Sequence, residues 1–115
     1  MIDAVTIRSI IEQYEKFGWA LRRVLLTRDL RAKIGTAADE LFKGVTVKQS
    51  DVDAAWFTRE AKNGGTAWEL RALQEFPFAL IEVVDPDATT DEIELTLSDT
   101  EQKLRDRRHS ASNGN

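Results

Sequence analysis

The residues with chemistry to offer are few, and the sharpest grouping is Asp51 and Asp53 ahead of Glu69-x-Arg71. Two carboxylates on neighbouring strands with a basic residue beside them are the ingredients of magnesium-assisted phosphodiester hydrolysis. That chemistry needs both acids to converge on the ion and a lysine near the attacking water. Arginine stands where the lysine is wanted, and a guanidinium does not readily shed a proton. Glu69 and Glu82 are the carboxylates left for a small-ligand or hydrolytic site. His109 is the single histidine, in the small polar stretch 109–115 that reads as a disordered tail, and cysteine is absent. Thiolate nucleophiles, histidine general bases, zinc centres and iron–sulfur clusters therefore lack their residues. No Gly-x-Gly-x-x-Gly or Gly-Lys-Ser/Thr string occurs either. Neither a cofactor nor a metal is expected.

Binding chemistry has two further candidates. Arg22, Arg23 and Arg28 form the densest basic segment, suited to an anion or an acidic peptide. Residues 82–101 hold eight carboxylates and no basic residue, so pairing between these two stretches is the favoured reading. Trp19, Trp56 and Trp68 with nearby arginines resemble a stacking platform for single-stranded nucleic acid. A net charge of −4 opposes phosphate contact, and a Trp56–Arg71 pair across two strands needs no ligand. Neither nucleic acid nor membrane is expected as a partner.

The elements that must carry these side chains follow from periodicity. Ile7, Ile10, Ile11, Tyr14 and Phe17 mark one face of a helix capped by Asp3 and stopped at Gly18. Residues 19–27 read as a strand apolar on both faces, with Trp19, Leu21 and Leu25 opposite Ala20, Val24 and Leu26. Residues 28–43 are weakly helical, broken at Gly35, with Thr36 as a second cap; 45–48 suggest a short edge strand. Residues 53–59 and 66–73 flank Asn63-Gly64, the strongest short hairpin signal. A two-residue type I′ turn there pairs Phe57 with Leu70 and Trp56 with Arg71. It buries the Phe57 face and leaves the Trp56 face partly wet. Residues 78–84 make another strand. Residues 92–97 alternate like a strand too, with Ile93, Leu95 and Leu97 on one side, but a helix over about 90–107 is preferred because it gives Leu104 an apolar neighbour.

These elements predict one α+β domain over residues 1–108: an antiparallel sheet of about four strands, with its central hairpin at Asn63-Gly64 and N- and C-terminal helices packed on it. A chain free of cysteine, with Asp3 where a signal peptide is basic, suits the cytoplasm. The inventory points to a non-enzymatic protein-interaction module, a small adaptor or chaperone-like protein. Its expected partner is itself, as a homodimer, or another protein, met through Trp56, Arg71, Arg22, Arg23 and Arg28. The alternative is a small-ligand-binding or carboxylate-dependent hydrolytic domain using Glu69 and Glu82.

Overall fold

Asp3 starts the first helix: its Oδ1 accepts the Thr6 backbone N–H at 2.8 Å, supplying one of the partners that a helix N-terminus lacks. The helix, α1 (Ala4–Lys16), stops at Phe17, and Gly18 turns the chain at φ +86°, where a side chain would strain. The computed structural model describes the backbone of residues 1–113 and the side chains of residues 1–107. Along the chain follow β1 (Ala20–Leu26), α2 (Arg28–Ile34), α3 (Ala37–Leu41), β2 (Thr46–Gln49), β3 (Ala54–Glu60), β4 (Thr66–Ala72), β5 (Ala79–Val84) and α4 (Thr90–Asn113). The expected α+β class holds, with five strands rather than about four, in the order β2-β1-β3-β4-β5.

The sheet is antiparallel except that β2 lies parallel to β1. Parallel neighbours need a long crossover, and α2 and α3 supply it. Thr27 opens that crossover. Its Oγ1 accepts from Leu30 N at 3.2 Å, while Asp53 accepts the Thr27 N–H at 2.6 Å and its hydroxyl at 3.2 Å. The cap expected from the Thr36 side chain does not form. Helices α1, α2 and α3 cover one face of the sheet over Val24, Leu26, Ala55 and Phe57. Helix α4 covers the other over Leu25, Ala54, Trp56 and Leu70.

The hairpin turns where expected but carries one more residue in its loop. Ala61 N donates to Gly65 O at 3.0 Å and Gly64 N to Ala61 O at 3.1 Å, so residues 62–64 form the loop. Gly64 takes the left-handed conformation at φ +85°, and no described non-glycine residue has positive φ. This is the three-residue hairpin, not the type I′ turn. Every partner shifts by one: Phe57 faces Glu69, Trp56 faces Leu70 and Ala55 faces Arg71. Because side chains alternate, that slip exchanges one strand's faces relative to the other. Trp56, expected to be partly wet opposite Arg71, is completely buried beneath α4.

A second irregularity sits in β1. Its pairing with β3 shifts between Leu21 and Arg23, leaving Arg22 as the extra residue of a β-bulge. Leu21 therefore packs in the α1 core beside Val24 and Leu26 rather than sharing a face with Leu25. Arg22 and Arg23 both reach the α4 side, Arg22 to Thr58 Oγ1 at 2.8 Å and Arg23 to Glu94.

Helix α4 begins at the expected Thr90, behind a reciprocal cap. Thr89 Oγ1 accepts Glu92 N–H at 3.1 Å and Glu92 Oε1 accepts Thr89 N–H at 3.0 Å. Ile93, Leu97, Thr100 and Leu104 form its narrow seam, with Leu97 and Thr100 fully buried. The helical backbone continues to Asn113, into the segment expected as a tail. The His109 side chain and residues 114–115 lie outside the described residues.

Candidate functional site

Four of the charged residues singled out in the sequence serve to hold α4 on the sheet or to border that contact. Arg23 makes a two-pronged ion pair with Glu94 and lies 5.7 Å from the Trp68 ring centroid. Glu82 pairs with Lys103 at 3.8 Å, Asp51 with Arg105 at 2.6 Å, and Arg22 bonds Thr58. Trp56 meets Trp68 edge-on at 5.9 Å and donates its indole N–H to Glu101 at 2.8 Å. Burying one indole removes roughly 200 Å² from water, about 5 kcal/mol at 25 cal/mol/Å². A surface ion pair contributes about 0–1 kcal/mol. The apolar seam therefore holds α4, and the ion pairs set its direction. Trp56 is a core residue, and Arg28 is an exposed residue at the start of α2.

Glu69 and Arg71 come together on the opposite face, two positions apart along β4. Tyr14, near the end of α1, stacks on Phe57 with ring centroids 4.0 Å apart and donates its hydroxyl to Glu69 in a short hydrogen bond. Burial, then the bond to Glu69, pushes the phenol well above its ordinary range, so Tyr14 stays a donor. The one-residue slip that put Phe57 opposite Glu69 made this contact. In the expected register the two would point to opposite sides of the sheet. Asp53 is held by Thr27 and Glu69 by Tyr14, so the two acids do not offer a shared ion site. Glu82 lies across from Trp68, on the face opposite to Glu69, so these candidates do not converge. Among the described residues no three His, Cys, Asp or Glu side chains gather as a metal site.

Beside Tyr14, Glu69 and Arg71 the sheet is uncovered. Ile81 faces Glu69, Val83 faces Ala67 and Ala79 faces Arg71, placing all three β5 side chains on the α1 side. Helix α1 packs on β1 and α3 and stops short of β5, leaving Ile81 56% and Val83 57% exposed. Ala72 N donates to Phe78 O at 2.9 Å, so Phe78 and every second residue after it bond β4. Ala79, Ile81 and Val83 consequently turn both backbone groups outward, along the free edge of the sheet. The other edge, β2, is four residues long and carries Lys48. Sequence reading missed this shelf because residues 78–84 are apolar at nearly every position, and no alternation says which face stays bare. No family model, curated protein or solved structure matches this chain.

Among the described residues no helix is long and apolar enough to cross a membrane.

Proposed function

We propose that this chain is a non-enzymatic protein-interaction module, a small cytoplasmic adaptor, whose docking surface is the β5 edge and whose partner there is a second copy. The observation that carries this reading is the edge itself. Ala79, Ile81 and Val83 present three pairs of outward N–H and C=O groups with apolar side chains, with no proline or bulge among them. The one charge in the strand, Glu82, points to the other face and pairs with Lys103. Soluble proteins blunt such edges, and an unblunted one is a template for pairing. Antiparallel pairing about a two-fold axis through Ile81 is self-complementary. Ile81 meets Ile81, and each Ala79 meets a Val83, with every outward group bonded. The apolar face first expected to drive dimerisation, around Trp56, is filled by α4, so β5 takes over that role. Glu69 and Glu82 on opposite faces give the hydrolytic alternative no support.

Sedimentation equilibrium at low and high salt tests the proposal. The wild type is expected to be a dimer, and Ile81→Lys a folded monomer, since the edge tolerates a lysine but pairing does not. Val5→Lys, at an exposed position on α1, should stay dimeric. A monomeric wild type at micromolar concentrations in both salts would overturn self-pairing.

A further inference from the structure

At the end of the sheet where β4 leaves toward β5, a cleft of about 640 Å³ opens between the 74–78 connection, the start of the chain and α4. That volume lies in the range of sites that hold small organic molecules. Ile2, Val52, Leu73 and Leu104 form its buried wall and Phe78 its half-buried side.

Three side-chain charges border it, and two are already matched. Both Asp53 oxygens accept from Thr27, and Glu75 lies 4.0 Å from the Met1 amino group. Arg107 instead sits over Phe78, its guanidinium carbon 3.8 Å from the ring centroid, and has no carboxylate partner among the described residues. Among the described residues the cleft is thus bordered by two cations, the Met1 amino group beside Glu75 and Arg107, and only Arg107 offers a planar fork that suits two carboxylate oxygens at once.

We infer that this cleft binds a small amphipathic monocarboxylate, its apolar tail against Ile2, Val52, Leu73 and Leu104 and its carboxylate on Arg107. The inference stands apart from the β5 edge, which lies along the strand rather than at this end of it. Phe76, 80% exposed, and Met1, 64% exposed, are the large apolar side chains at the rim that can fold over a bound tail.

Titration of the full chain with decanoate, decanol and decylamine, each below its micelle concentration, tests it by amide chemical shifts and calorimetry. Decanoate is expected to bind tightest, with shifts centred on Val52, Leu73 and Leu104. Arg107→Gln, an exposed change that leaves the core intact, should weaken decanoate about tenfold or more while leaving decanol unchanged. Leu73→Trp should block both ligands, with its melting curve showing whether it folds. Decanoate no tighter than decylamine, shifts elsewhere, or an Arg107→Gln variant that binds decanoate like the wild type would each overturn the assignment.

Discussion

Gly65, not its neighbour in the turn, is the residue whose missing side chain matters most for space. A Cβ built on it would lie 1.9 Å from the Val84 carbonyl oxygen, a backbone atom that cannot swing aside. Gly65→Ala is therefore expected to destabilise by about 1–3 kcal/mol, the usual range for overpacking. At Gly64 there is open space but φ is +85°, so Gly64→Val acts through backbone strain and costs roughly 1–2 kcal/mol. Urea denaturation of both variants checks the two values, and an unchanged Gly65→Ala midpoint would contradict the close approach. Tyr14 is the only tyrosine, so its phenolate absorbance reports one group. Below pH about 10 the phenol keeps its proton in folded and unfolded chains alike. Above that the unfolded chain loses the proton first, because burial raises the folded value, and stability falls as pH rises. Tyr14→Phe should remove this part of the alkaline slope while costing about 0.5–1.5 kcal/mol at neutral pH for the lost bond to Glu69.

Helix α4 is the element with the most divided character. Its seam is only Ile93, Leu97, Thr100 and Leu104, yet beneath it lies the entire indole of Trp56. Leu97→Ala is expected to cost about 2–5 kcal/mol. Because the helix roofs Trp56, the same change should shift tryptophan fluorescence toward the solvent-exposed value. Unaltered fluorescence with unaltered stability would show that α4 does not roof that face. Acid tests the polar ties. The Arg23 hydrogen bonds hold Glu94 below the usual carboxylate range, and those of Arg105 do the same for Asp51. Such groups stabilise the fold at neutral pH, and the contribution fades as pH falls through their lowered values. Glu94→Gln should flatten the acid limb of a stability–pH curve. An identical limb in the variant would mean that the Arg23–Glu94 pair is broken in solution.

At the scale of the whole molecule, the basic early stretch and the acidic later one meet in an ion pair within the chain. Arg23–Glu94 joins the basic early stretch to the acidic one, and Glu82–Lys103 and Asp51–Arg105 pair further acids with the basic second half of α4. Two copies that meet at β5 therefore bring together apolar side chains and backbone groups, each copy carrying a net charge of −4. Screening that repulsion favours association, so the dimer is expected to hold or tighten at high salt. A dimer that falls apart at high salt would point to an interface made of ion pairs rather than the β5 edge.

Local rules were enough at most places where a residue acts on its own neighbours along the chain, the absent Thr36 cap apart. Asp3 and Gly18 bound α1, Asn63 and Gly64 mark the hairpin, and the spacing of Ile93, Leu97 and Leu104 makes the last long element a helix. What residue order left open were choices between nearly equal local alternatives. A two- or three-residue loop at 62–64 differs little in local energy, but only the longer one places Trp56 under α4 and Phe57 under Tyr14. The bulge at Arg22 is of the same kind, since residues 19–27 are apolar in either phase and only packing on β3 selects one. The candidate site followed these choices. Glu69 meets Tyr14 because the register slipped, Ile81 and Val83 stay bare because α1 settles on β1 and α3, and Arg107 flanks the cleft because α4 crosses beside Phe78. Each is a contact between residues far apart in the chain, decided by which faces the two helix layers can bury together.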